Sequence, residues 1–336
     1  MYDGVINVYK EKGFTSHDVV AKLRGILRQK KIGHTGTLDP DAVGVLPVCL
    51  GKGTKLCDVL TDKTKAYRAV LLLGVETDTE DAGGEILNRC PPERLAALTE
   101  EAVTQAVMSF VGPYDQIPPM YSALKVNGQK LCDLARAGKT VERKARRVEI
   151  FSIRIEEIAL PRVTMTVECS KGTYIRTLCS DIGSRLGTGG CMEALTRIRS
   201  GVFTLETALT LGQIEALRDE GGLESRIVPV DELFSEYPRM EMRPEADRLV
   251  HNGNPFRPEA GILRGEEAGA AGAAESAATA GAAGTAENAG AAGDSAAASP
   301  APQVRVYDSE GHFIGIYEYR RERRWYQPLK IFAGGQ

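Results

Sequence analysis

The 336-residue chain has no C-x-x-C pair, only four histidines, and no apolar run long enough to cross a bilayer. Each absence excludes something. The seven cysteines are scattered and odd in number. That argues against a zinc site or a disulfide framework and fits thiols kept reduced in a cytoplasm. Histidines and cysteines form no ligand cluster, so no metal is expected. A membrane helix takes about 20 consecutive apolar residues, and no stretch approaches that. The opening, MYDGVINVYKEKG, carries charge early and lacks an apolar signal core, so a cytoplasmic chain is expected. A strong charge of one sign is missing too. A net charge of −3 does not announce a polyanion partner. A phosphate loop is also missing. Gly51-Lys52-Gly53-Thr54-Lys55 has Gly53 where Ser or Thr is required, so no nucleotide cofactor is expected.

The length suggests about two domains. Gly265–Pro302 has no large apolar side chain, cannot offset its ordering entropy, and is read as a disordered Ala/Gly-rich insertion. The flanking stretches read as folded. Residues 303–336 show strand, turn at Ser309–Gly311, strand, turn, strand. A small β-rich C-terminal domain, residues 221–264 and 303–336, is therefore expected, split by the insertion. Residues 1–220 mix element types. Gly4–Tyr9 reads as a strand, and Ser16 as the cap of a helix bearing Val19, Val20, Leu23, Ile26 and Leu27 on one face. Ala66–Val75, Arg147–Ile158 and Val163–Ser170 read as strands; Pro92–Phe110, Gln129–Ala137 and Thr173–Leu186 read as helices. The irregular order predicts an α+β fold with a mixed, mostly antiparallel central sheet and flanking helices.

The segment with chemical promise is GHTGTLDPDAVGVLP, residues 33–47. Asp39 precedes a proline, so the bland reading is an Asx turn. A metal ligand and a nucleophile are the other readings. The surroundings are more constrained than a turn needs. Gly33 and Gly36 permit unusual backbone angles, Pro40 restricts Asp39, and Val43, Val45, Leu46 and Val48 anchor the segment in the core. A nucleophilic carboxylate also needs a cation and an apolar wall. Lys171–Leu178 leads from a strand into a helix carrying Arg176, with Thr173 as a candidate cap; by spacing alone Arg176 reads as a surface residue. Tyr67 sits on a strand, as a core or a stacking residue.

Several strings together resemble the tRNA pseudouridine synthase B (TruB) family. They are GVINVYKEKGFTSHDVV, GHTGTLDPDAVGVLPVCLGKGTK, KAYRAVLLLGVETDTEDAGGEI, IPPMYSALKVNGQKLCDLARAGKTVERKAR, CSKGTYIRTLCSDIGSRLGTGG and LTRIRSGVF, in the family's order, from about Asp3 to Leu217. The C-terminal segment more weakly resembles the family's PUA-like RNA-binding domain. Two departures stand out: Glu11 follows Lys10 where the family usually has proline, and Thr196 interrupts a usual pair of arginines.

The resemblance implies the pseudouridine synthase fold and isomerisation of uridine 55 in the T-arm of tRNA, without metal, redox or nucleotide cofactor. Asp39 is then the nucleophile or deprotonating carboxylate, Arg176 its partner, and Tyr67 a stacking residue and late base. Lys10 and Leu195 would line the pocket, and His34 would fill the gap left by a flipped base. Basic runs at Lys139–Arg147 and Arg320–Arg324 would meet phosphates, and a third lies at Lys22–Lys31. Nothing demands more than a monomer. Two other classes stay open: an RNA-binding or RNA-folding protein whose catalysis is dispensable, and a glycosidase using Asp39 and Asp41. The second is disfavoured, because adjacent-loop carboxylates do not readily straddle a sugar.

Overall fold

A computed structural model of the chain describes residues 1–126, 128–264 and 302–333. The Ala/Gly-rich insertion, Pro302 apart, lies outside the described residues. The chain divides into two compact units, Met1–Val230 and Asp231 onward.

In the first unit come β1 (Gly4–Lys10), α1 (Ser16–Leu27), β2 (Ile32–His34), β3 (Val43–Leu50), α2 (Cys57–Thr61) and β4 (Lys65–Leu73). Next are β5 (Val75–Thr77), β6 (Ile86–Arg89), α3 (Pro92–Ala96), α4 (Glu100–Met108) and β7 (Gly112–Gln116). A small hairpin, β8 (Lys125–Val126) and β9 (Gln129–Lys130), leads into α5 (Leu131–Arg136). Then come β10 (Arg146–Ala159), β11 (Arg162–Cys169), α6 (Ile175–Leu186), β12 (Gly190–Ser200), β13 (Phe203–Thr204), α7 (Leu211–Asp219) and β14 (Ile227–Val228). A ten-stranded sheet runs β14-β1-β3-β12-β4-β11-β10-β7, with β2 beside β3 and β13 beside β12. Within it β3 and β12 pair in parallel, and the other pairings are antiparallel. This is the α+β, mostly antiparallel architecture expected.

The sheet carries two apolar cores. Leu71, Leu73, Val163, Met165 and Ile150 pack with Val103 and Val107 of α4 and with Leu178 and Ile182 of α6. Ile6, Val8, Leu46 and Val48 pack with Val20 and Leu23 of α1 and Ile214 of α7. Strand alternation aims one face of β4 inward: Lys65, Tyr67, Ala69, Leu71 and Leu73 are buried while Arg68 is exposed.

The second unit holds β15 (Arg239–Met242), α8 (Asp247–His251), β16 (Gly261–Arg264), β17 (Gln303–Tyr307), β18 (Phe313–Arg320) and β19 (Trp325–Ile331). Its sheet order is β16-β15-β17-β18-β19, over a core of Met240, Val250, Phe256, Val304, Val306, Tyr317 and Tyr326.

Several boundaries differ from the sequence reading. The expected helix Pro92–Phe110 is two helices, because the Thr99 hydroxyl accepts the Ala102 N–H and starts a new one. The N-cap of α1 is Thr15, in a reciprocal box with Asp18; Ser16 is released for another task. Gln129 and Lys130 belong to a strand, not a helix. Thr173 is no cap: α6 starts at Ile175, and its Tyr174 N-cap is held on both backbone groups by the Gln116 side chain. The first unit runs to Val230 rather than residue 220, because β14 pairs with β1 and α7 packs on α1.

α6 lies so close to the start of β12 that a Cβ on Gly183 would sit 2.3 Å from the Gly189 carbonyl carbon and the Gly190 nitrogen. Gly183→Ala is therefore expected to lift α6 off the sheet and lower the unfolding free energy by about 1–3 kcal/mol, measured by urea denaturation.

Candidate active site

Asp39 comes after the short β2 strand on a loop that no helix or strand contains. Its own carbonyl accepts the Ala42 N–H at 3.1 Å, so the Asp39–Ala42 turn closes through the backbone. The carboxylate is left for Arg176. The Arg176 Nε lies 3.0 Å from Oδ2, and Nη2 donates to Oδ1 at 3.2 Å. This is the two-pronged geometry that only a guanidinium makes. Nη2 also donates to the Tyr121 carbonyl at 2.9 Å and Nη1 to the Thr79 carbonyl at 3.1 Å. The Asp81 carboxylate stands 3.8 Å from Nη1. Arg176 is only 5% exposed, contrary to the surface position that spacing favours. The reason is that α6 begins inside the protein: Ile175 to Cys179 are all buried.

The pair lies at a cleft of about 270 Å³ whose lining includes Tyr67, Leu195, Tyr121, Tyr174 and Lys65. Burial pushes the Asp39 carboxyl above the ordinary aspartate value, and the neighbouring Asp81 adds to it; Arg176 and Lys10 pull the other way. Burial likewise raises the Tyr67 phenol, with Arg197 opposing, so the resting phenol is neutral at neutral pH.

The loop is secured from behind. Lys10, fully buried, donates to the carbonyls of Phe14 at 2.5 Å, Pro40 at 2.9 Å and Glu11 at 3.2 Å. An ammonium has three N–H groups, and each has a carbonyl. Burial lowers the Lys10 pKa to about 8. The resemblance puts Lys10 in the pocket lining; instead it stands behind the loop and fixes Pro40, next to Asp39. The Glu11 departure falls on a residue used through its carbonyl. Ser16 accepts the Leu38 N–H at 2.9 Å, which ties α1 to the residue before Asp39. His34 also lies off the cleft. Half-buried on β2, it meets His17 edge-on with ring centroids 5.2 Å apart, and its Nδ1 accepts the Gly36 N–H at 3.3 Å. Asp41 lines a neighbouring cavity with Asp39 and Asp81.

The sequence reading misses two cations. Arg197 is 1% exposed; its Nε donates to the Val45 carbonyl at 2.6 Å and its Nη2 to Gly36 at 3.4 Å. It pairs across the sheet with Tyr67 on one side and Gly44 on the other. Gly44 has φ +105, and a Cβ there would meet the Arg197 carbonyl at 2.3 Å, so only glycine lets β3 come alongside β12. Lys65 donates to the carbonyls of Thr61 at 2.8 Å and Lys63 at 2.9 Å, and burial lowers its pKa to about 8. A signal exists for both. Residues two apart on a strand share a face, so Arg197 goes with Leu195 and Lys65 with Tyr67.

Comparisons with known proteins bear on this geometry. A model of the TruB family pseudouridylate synthase N-terminal domain matches residues 24–175, and one of the tRNA pseudouridylate synthase B C-terminal domain matches residues 176–235. A tRNA pseudouridine synthase B from Lachnoclostridium phytofermentans is 49% identical over 338 residues, covering 98% of this chain and 99% of that protein. One from Alkaliphilus oremlandii is 47% identical, over 75% of this chain and 82% of its own length. A Cbf5–Nop10–Gar1 complex contains a chain similar in structure, with a TM-score of 0.65 and 26% identity, covering 98% of this chain and 84% of that one. On this near-full-length identity and the two adjoining domain matches, the chain belongs to the TruB family of pseudouridylate synthases.

Proposed function

We propose that the chain isomerises uridine 55 in the T-arm of tRNA to pseudouridine, with Asp39 as the reacting carboxylate. The observation that carries this reading is the Asp39–Arg176 fork opening on a cleft walled by Tyr67 and Leu195. The isomerisation breaks the N1–C1′ bond, turns the uracil, and joins C5 to C1′, with the C5 proton lost and N1 protonated. It needs a carboxylate that stays charged in a site shielded from water. Arg176 meets that need by opposing the desolvation that raises the Asp39 pKa. The neutral Tyr67 ring supplies a face for the base, and Leu195 an apolar wall. As a late base at C5, Tyr67 needs the nearby Arg197 guanidinium to favour its phenolate.

The uridine has to leave the stacked arm to reach Asp39, at a cost of a few kcal/mol. We assign His34 to the vacated place, supported by its position five residues before Asp39 on the same segment. The second unit is read as the PUA-like domain that grips the RNA. In its favour is the exposed run Arg320–Arg324 from the end of β18 into the turn before β19. Lys139–Arg147, mostly exposed in the first unit, is the other candidate phosphate contact. We read the protein as a monomer acting in the cytoplasm on tRNA; its seven cysteines form no disulfide among the described residues.

Asp39→Asn is expected to bind unmodified tRNA transcript normally yet lose single-turnover conversion by about 10²–10⁴-fold or more, read by mapping pseudouridine in the T-arm. For the wild type, activity falls as pH drops and Asp39 takes up a proton. Because its pKa is raised, this acidic limb should lie above the ordinary aspartate range. Arg176→Lys removes the fork, so the limb should move to still higher pH and the plateau rate drop by about 10²-fold; a limb moving to lower pH would refute the pairing. Affinity for tRNA should weaken steeply between low and moderate salt, and a salt-independent Kd in a filter-binding titration would contradict phosphate gripping.

A further inference from the structure

The turn between β5 and β6 contains a residue poorly suited to its backbone. Glu80 has φ +62, the left-handed region where glycine or asparagine is the easier choice. Strain of this kind persists where the surroundings enforce it, often near functional sites. The surroundings of Glu80 are the first turn of α6. The Thr177 hydroxyl, on a buried residue, donates to the Glu80 carboxylate at 2.5 Å. The residue before, Thr79, gives its carbonyl to Arg176 Nη1 at 3.1 Å. The residue after, Asp81, faces the same guanidinium at 3.8 Å. The turn is itself pinned to β12: the Met192 N–H donates to the Glu80 carbonyl at 3.0 Å, and the Ala82 N–H to Met192 at 2.9 Å. An extended chain would send successive groups to opposite sides. The left-handed kink at Glu80 instead turns three consecutive residues onto one helical turn.

We propose that Glu80 is a positioning residue for the reaction. By holding Thr177 it fixes the first turn of α6, and so keeps the Arg176 fork on Asp39. This rests on the reading of Asp39 and Arg176 as the catalytic pair. The charges around them are few. Asp39 is faced by Arg176 from α6, Asp81 from the turn, and Lys10 from β1. Glu80 is faced by Arg176 and Asp181 from α6, and by Arg143 from the segment after α5. Two contributions of Glu80 can thus be separated. As a hydrogen-bond acceptor it restrains Thr177; as a charge it competes for Arg176.

The test is single-turnover conversion of unmodified tRNA transcript by the full chain, tracked against pH, with tRNA affinity measured alongside. Glu80→Ala and Glu80→Gly should each lose about 10-fold or more in rate at unchanged tRNA affinity, with the acidic limb shifted to higher pH. Glu80→Gly also relieves the backbone, so it should keep or gain thermal stability while losing rate, which excludes unfolding as the cause. Glu80→Gln keeps the acceptor for Thr177 and should restore the rate to within about three-fold, with the limb unshifted or lower. Thr177→Val should match Glu80→Ala, and the double variant should be no worse than either. Wild-type rate and pH profile in Glu80→Ala would overturn the proposal, as would Glu80→Gln failing as badly as Glu80→Ala. Full conversion by Asp39→Asn would instead sink the Asp39–Arg176 reading on which this one stands.

Discussion

A buried guanidinium is tolerable only when its N–H groups have partners, and Arg176 shows how much structure that requires. Its acceptors are the Asp39 carboxylate, the Thr79 carbonyl of the β5–β6 turn and the Tyr121 carbonyl before β8, with the Asp81 carboxylate of the same turn as a longer ion-pair partner. Charge-assisted bonds to a planar fork fix orientation as well as energy, so these segments are held in register by one side chain. The dependence is mutual. Arg176 reaches them because α6 begins buried, and at its other end Gly183 lets the last turn of α6 press against the start of β12. A buried ion pair is weak evidence for stability. Here its value is positional, since it fixes where the Asp39 carboxylate points.

Two other buried cations near Asp39 follow the opposite idea. Lys10 and Arg197 are as buried as core leucines, yet they donate to main-chain carbonyls of the Asp39 loop and its neighbours. A carbonyl neutralises no charge, so each cation keeps its field inside the protein. Lys10 pulls the Asp39 pKa down and Arg197 does the same for Tyr67. The cations therefore do two things at once: they fasten a loop without regular structure, and they oppose the burial that raises the pKa of Asp39 and of Tyr67.

Legibility tracks the range of the interactions. Strand alternation is enough to place Tyr67 on the inner face of β4, because period-two patterning is local. Asp39 stands out because glycines, a proline and an apolar run constrain its loop. Arg176 reads as exposed from spacing alone. No pattern within residues 171–186 says that a turn ninety-odd residues earlier encloses the helix start, and only the family resemblance supplies the pairing. Thr15 outcompetes Ser16 as a cap because Asp18 completes a box with it; the freed Ser16 then serves the Asp39 loop, a contact over twenty-two residues that capping rules do not see. The break at Thr99 is readable in principle, since a threonine with acids after it is a helix start, but the apolar periodicity on both sides hides it.

The second unit shows why an insertion can be carried there. β16 and β17 both pair with β15, at Arg264 and Arg305 opposite the same Arg239. β16 runs antiparallel to β15 and β17 parallel to it, so the chain leaves and re-enters at one end of the sheet. The two points are separated by one intervening strand, about 10 Å at the usual spacing. A handful of residues closes such a gap. The cost of a longer connection grows only logarithmically, about 0.6 kcal/mol for each doubling. A connection many times longer than geometry requires therefore costs the sheet about as much as one weak hydrogen bond per doubling. Both flanking strands keep their pairing to β15, so selection for the fold puts little pressure on the segment between them.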